Sequence, residues 1–142
     1  MDALTSLLTR KSVKPIELIE PGPTSEQLET ILKIATRVPD HGKLTPWRIH
    51  IFDKKAQAKL GKIFRERWEE LNLGVEGKIL DFQEDLPQRA PLLLAVTTQF
   101  VEGKIPVFEQ LMSAGNVCFN ILHAAHALGL GACWLTEWPA YD

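Results

Sequence analysis

PVFEQLMSAGNVCFNILHAAHALGLG, residues 106–131, is the stretch on which the fold turns. Pro106 stands where a helix begins and a glycine where it ends, both in their favoured places. The spacing predicts a helix over 106–129. Leu111, Ala114, Cys118, Ile121 and Ala125 make one apolar stripe, while Phe108, Met112, Phe119 and Leu122 lie elsewhere around the cylinder. A helix apolar nearly all round is expected to be buried on all sides. With 142 residues to cover it, one subunit has difficulty doing so, and a subunit interface is expected along it.

Other elements must supply the cover. Residues 2–9 read as a short helix, and KPIELIEPGP, residues 14–23, as an extended segment punctuated by proline. Thr24 opens a second helix with Gln27 in capping-box spacing, and Leu28, Ile31, Leu32 and Ala35 form its stripe. It ends before Pro39, in the polar loop 37–46. WRIHIFD, residues 47–53, alternates with Trp47, Ile49 and Ile51 on one face and reads as a strand. Residues 54–72 form an amphipathic helix with Leu60, Ile63, Phe64, Trp68 and Leu71 on its apolar side. A shorter helix is expected in 75–86. APLLLAVTT, residues 90–98, is a continuous apolar run expected of a strand covered on both faces. GACWLTEW, residues 131–138, reads as a final strand and loop.

Helices and strands without strict βαβ alternation predict an α+β layered domain, helices packed on a mixed or antiparallel sheet. No repeat or low-complexity linker divides the chain, so residues 1–142 read as a single domain. No G-x-G-x-x-G follows a strand and there is no Walker loop, which excludes the common nucleotide-binding α/β folds.

The chain is 45% hydrophobic and 24% charged, with a net charge of −2. That is the profile of an ordinary globular domain and gives no reason to expect nucleic acid. No apolar run approaches the roughly 20 residues of a membrane span. Asp2 and the lack of a basic leading region argue against a secretory signal, so a cytoplasmic location is expected. Cys118 and Cys133 sit in apolar surroundings without close spacing and read as free thiols.

His123 and His126 stand at i and i+3 on the long helix, a spacing that can ligate metal. No carboxylate lies in register with them and Cys118 is five residues back, so no metal is expected. Ser12 and Ser113 lack the G-x-S-x-G elbow of a hydrolase, and neither cysteine has a neighbour that would lower its pKa. The remaining candidates gather in three places: Arg10 to Lys14, the loop Arg37 to Trp47, and Trp134 to Glu137. Taken singly, Arg10 complements a helix end and the tryptophans are core. Together they are what a flavin mononucleotide requires: cations and a hydroxyl for phosphate, and aromatic or backbone surface for the ring.

Three separated motifs, in order, then carry a resemblance across the whole chain: TRKSVK (9–14), ATRVPDHGKLTPWRIHIF (35–52) and EQLMSAGNVCFNILHAAHALGLGACWLTEW (109–138). The chain resembles the nitroreductase-like FMN-dependent oxidoreductases, in particular their short, minimal branch. The resemblance implies a nitroreductase-like α/β sandwich with a central, mostly antiparallel sheet flanked by helices, and a homodimer sharing two FMN sites. Arg10, Lys11 and Ser12 match the family's phosphate and ribityl clamp, and Lys14 a basic position near flavin N1 and O2. Arg37 and His41 match positions that reach the partner subunit's FMN. Ala124, Ala125, His126, Ala127, Leu128 and Gly129 match a stretch associated with NAD(P)H, and Trp134, Leu135 and Thr136 the backbone edge along the flavin.

Thr45 replaces an amide common before the Pro-Trp pair, and Leu135 a residue that is sometimes basic. Family members continue past WPAYD with a further helix, strand and tail. A chain ending at Asp142 is therefore expected to leave a strand edge unpaired and to hold FMN more weakly than an extended form. The implied activity is hydride transfer from NAD(P)H through flavin to an electron-poor acceptor, a nitroaromatic or quinone, with no side-chain acid or base singled out. The alternative is a non-catalytic, flavin-binding sensor or vestigial protein of the same fold.

Overall fold

A computed structural model describes residues 2–142 of the chain. Helix α1 spans Ala3–Thr9, α2 Ser25–Ala35, α3 Lys54–Leu71, α4 Gly77–Asp85 and α5 Val107–Ala127. Strand β1, Trp47–Phe52, pairs antiparallel with β2, Leu93–Thr98, so that Trp47 faces Thr98 and Phe52 faces Leu93. Short 3-10 turns occupy Pro15–Glu17, His41–Lys43, Leu86–Gln88 and Trp138–Ala140.

Local chemistry starts these helices where the sequence places them. Asp2 accepts from the backbone N–H of Leu4 and Thr5, each at 3.1 Å. Thr24 and Gln27 form the expected capping box, and Asp53 accepts from Ala56 N at 2.8 Å. Each device satisfies backbone donors that the first helical turn leaves without partners.

Helix α5 lies between α2 and the sheet. Ala114 and Val117 pack with Ala35 and Trp47, and with half-buried Ile49 and Val96 of the strands. Two turns further on, Ala124 and Ala125 pack against Ile31 of α2, with Leu128 and Leu130 closing the end. Ile121 belongs to both clusters and joins them. No helix among the described residues is long and apolar enough to cross a membrane.

Four expectations need correction. Helix α5 is not buried all round: Phe108 is 69% exposed and Leu111, Met112 and Phe119 are about half exposed. The buried positions are Gln110, Ser113, Ala114, Val117, Leu122, Ala124 and Ala125, and the alanines among them let α2 approach closely. Strand β2 is half-buried rather than covered on both faces. On α3, Ile63 and Leu71 turn to solvent, and the buried positions are Gln57 and Gly61. Residues 131–138 form no strand. Their apolar character is real, yet a strand exists only by pairing, and among the described residues this segment makes one inter-segment backbone bond, from Val13 N–H to Ala132 O at 3.0 Å.

Candidate functional site

The end of α5 and the arm that follows α1 build the site together. Helix α5 stops at a Schellman cap, with Leu130 N–H donating to Ala125 O at 2.9 Å and Gly129 N–H to His126 O at 3.0 Å. Gly129 takes φ +80°, a conformation glycine adopts without steric penalty. The cap turns the chain back so that Ala132 meets Val13. A Cβ on Gly131 would stand 3.0 Å from Leu18 Cδ2 and 3.2 Å from Val13 Cγ2, so a larger residue there would have to push those side chains aside. Between the two segments lies a cavity of about 310 Å³, lined by Thr9, Arg10, Lys11, His126, Gly129 and Gly131 among others.

Its polar groups are unevenly satisfied. Arg10 Nη1 is buried and has no hydrogen-bond partner among the described residues. A guanidinium that only complemented helix ends would bond their carbonyls, and this nitrogen bonds none. The carbonyl end of α5 also faces this region, so Arg10 and Lys11 oppose a negative helix pole as well. His126 Nε2 lies 3.1 Å from Thr9 Oγ1. His123 stacks obliquely on Phe119 with centroids 4.3 Å apart. Burial first, then the charges of Arg10 and His126, hold its pKa below the usual imidazole value. Burial raises the pKa of both Cys118 and Cys133, which keeps them as thiols. Among the described residues no group of three His, Cys, Asp or Glu side chains could hold a metal ion.

The structure thus brings Arg10, Lys11, His126 and Gly129 to one cavity. Ser12 does not line it and is exposed on the same arm. Lys14 lines a second, more open cavity of about 680 Å³ with Ile16, Phe82, Asp85 and Arg89. There the Arg89 guanidinium sits 4.5 Å above the Phe82 ring. Its Nη1 is 3.6 Å from Glu137 Oε1, while Nη2 is buried without a partner among the described residues. Ala124 and Ala125 are buried against Ile31, leaving Ala127 and Gly129 exposed in that stretch. Trp134, Leu135 and Thr136 are exposed, and the Trp134 ring passes close to Gly115 of α5.

Arg37 and His41 stand apart from this group. His41 Nδ1 is 2.7 Å from Glu109 Oε2, at the opposite end of α5 from His126. Glu109 and His126 stand seventeen helical positions apart, about 26 Å along the axis, so His41 does not enter its own chain's cavity. Arg37 is exposed after α2, its carbonyl accepting from Asn120 Nδ2 at 3.1 Å. Sequence reasoning did not single out Thr9, Val13, Phe82, Asp85 or Arg89. Arg89 had a readable signal, a cation directly before an apolar strand run, where a charge must find a partner or a cavity.

Known proteins agree with this architecture. The Nitroreductase family model matches residues 7–142. A Haemophilus influenzae protein provisionally named NAD(P)H nitroreductase is 38% identical over 138 residues, which are 96% of this chain and 73% of that protein. YdjA of Escherichia coli K12, with the same provisional name, is 35% identical over 98% of this chain and 76% of its own length. Among solved structures, a nitroreductase-like family protein from Bacillus cereus superposes with a TM-score of 0.78 at 20% identity, covering 100% of this chain and 73% of its own. A Bacteroides fragilis nitroreductase with bound FMN gives 0.72 at 16% identity, over 99% of this chain and 75% of its own. The α+β fold is that of the nitroreductase-like proteins, and with a family model spanning nearly its whole length and two relatives above 30% identity, this chain belongs to the nitroreductase family.

Proposed function

We propose that this chain is an FMN-dependent oxidoreductase of the nitroreductase type, taking hydride from NAD(P)H. The observation that carries the reading is the buried, unpartnered Arg10 Nη1 beside Lys11 in a cavity closed by Gly129 to Ala132. A buried donor without an acceptor costs about 1–3 kcal/mol, and a phosphate oxygen relieves it. The residues present therefore fit the phosphate end of FMN. The relatives' names support a nicotinamide donor, and the fold shared with an FMN-bound nitroreductase supports the cofactor.

FMN, when bound, supplies the ring that accepts hydride from NAD(P)H and passes it to an electron-poor acceptor such as a nitroaromatic or quinone. The chain's own residues bind and orient. Arg10 and Lys11 oppose the phosphate charge, and the Ser12 hydroxyl is available to the ribityl chain. Lys14, with Arg89 beside it in the second cavity, holds positive charge along the arm that leads away from the phosphate end. Exposed Ala127 and Gly129 are where the nicotinamide donor meets the α5 end, and the backbone of Trp134 to Thr136 lines the ring.

Arg37 and His41 serve the partner subunit's site in a homodimer. The apolar faces that one chain leaves bare support this assembly: Leu4, Leu7 and Leu8 on α1, and Phe108, Leu111, Met112 and Phe119 on α5, are all close to half exposed or more. Contiguous apolar surface of this kind marks an interface.

Arg10→Ala tests the reading. FMN affinity should fall by about 1.5–3 kcal/mol, the scale of a hydrogen bond to a charged group, while riboflavin, lacking phosphate, should lose little. Equal losses would sink the clamp. An absorbance spectrum that is yellow and bleaches on anaerobic NAD(P)H addition separates an oxidoreductase from a passive flavin binder.

A further inference from the structure

We propose that Ser113 and Asn120 of α5, with Glu109, are positioning residues that hang the segment from Ile34 to His41 on the helix, so that Arg37 and His41 reach the partner subunit's FMN. This role rests on the shared FMN sites of the homodimer proposed above. Asn120 Nδ2 donates to Ile34 O and to Arg37 O, each at 3.1 Å. Ser113 Oγ donates to Pro39 O at 2.8 Å, and Glu109 Oε2 lies 2.7 Å from His41 Nδ1. Glu109, Ser113 and Asn120 fall within about 40° of one another around the helix and span about 17 Å along it. The segment therefore runs antiparallel to α5 with its contacts in order: Ile34 and Arg37 at Asn120, Pro39 at Ser113, His41 at Glu109.

Backbone carbonyls only accept, so Asn120 makes its two contacts through its nitrogen and Ser113 through its hydroxyl proton. Such bonds fix the path of the chain and leave the Arg37 side chain exposed for use elsewhere. Ser113 is buried and also lies 3.1 Å from Glu109 O, the ordinary bond of a mid-helix serine. Its contact with Pro39 O is the shorter one. Beyond His41, the turn at Gly42 is backed by Ile105, which a Cβ on Gly42 would strike. Ile105 is held in turn by the buried Gln110 amide, which donates to Ile105 O at 3.1 Å and to Val101 O at 2.9 Å. Arg37 thus stands between the ties at Ile34 and Pro39, and His41 between Pro39 and the wedge at Gly42.

The test uses full chains with two different affinity tags, coexpressed so that mixed dimers can be isolated. As a homodimer, Ser113→Ala/Asn120→Ala should bind FMN roughly three- to tenfold more weakly than wild type, the scale of one neutral hydrogen bond. A mixed dimer of that chain with an Arg10→Ala chain then shows where the loss falls. Acting across the interface, the two lesions meet in one site and spare the other. FMN titration should therefore give two equal classes of site, one at the wild-type dissociation constant. Two weakened sites with no wild-type class would overturn the positioning role, as would a double variant that binds FMN as tightly as wild type. Asn120→Ala alone, at a half-buried position, takes the place of the double variant if the latter does not fold. The mixed dimer of Arg37→Ala with Arg10→Ala is the control. A wild-type class there and none with Ser113→Ala/Asn120→Ala overturns the positioning role alone. No wild-type class in either, or a wild-type chain that neither dimerises nor binds FMN, overturns the homodimer reading with it.

Discussion

Protonation of His123 is resisted from three directions: partial burial, the guanidinium of Arg10 and the ring of His126. A histidine whose folded pKa lies below its unfolded value binds fewer protons in the native state, so stability rises with pH across that window. His123 therefore contributes stability above about pH 6.5 that is lost as the pH falls through the window beneath. Urea midpoints measured from pH 7.5 to pH 5 should decline for the wild type, and decline less for His123→Gln. Parallel curves would show that the ring is not coupled to Arg10. At this scale the sequence revealed residue types better than pairings. The charges of Arg10 and Lys11 are legible because a cation pair beside a hydroxyl has few uses. The i,i+3 spacing of His123 and His126 is legible as a possible metal pair, yet the fold turns one ring onto Phe119 and the other onto Thr9. Thr9 and His126 lie 117 residues apart, and no local pattern encodes a contact of that range.

Helices α3 and α4 show how an element can depend on a missing side chain. Gly61 sits in the middle of α3 and is buried against α4, where an added Cβ would collide with the carbonyl oxygen of Glu84 and stand 3.1 Å from Gln88 Nε2. Arg65 ties the same pair together, 2.6 Å from Asp81 and 3.3 Å from Glu84, and Trp138 donates to Gln83 Oε1 at 2.9 Å. Alanine improves helix propensity by about 1 kcal/mol over glycine, while forcing atoms into a packed contact costs about 1–3 kcal/mol. Backbone cannot step aside as a flexible side chain can, so the second effect wins. Gly61→Ala should lower the thermal midpoint. Gly77→Ala, with nothing within 4 Å of the new methyl, should not. Element starts were the most legible feature of the chain, because Thr24, Gln27 and the Pro-Gly punctuation act locally. The misread segment 131–138 failed for the opposite reason, since strand character is a property of two segments and only one was in view.

At the scale of the whole molecule, the bare apolar faces of α1 and α5 predict association. Sedimentation at micromolar concentration should give a dimer, and Met112→Glu on the exposed face of α5 should shift it to monomer and weaken FMN binding together. A wild-type monomer that binds FMN tightly would refute the shared site. The all-round apolar character of α5 raised the expectation of an interface that sedimentation would test; which face turns inward within the chain was not legible, because that depended on the fit of Ala114, Val117 and Ala125 against α2 and the sheet. Helix α5 has a further property. It runs without a break from Val107 to Ala127, with Glu109 fixed to His41 at one end and His126 to Thr9 at the other. Deleting a single residue between them would shorten the rod by about 1.5 Å and rotate one anchor against the other by about 100°. Such a helix accepts exchange of its side chains but not a change in their number, so variation among its descendants should enter by substitution there and by insertion only in the loops beyond.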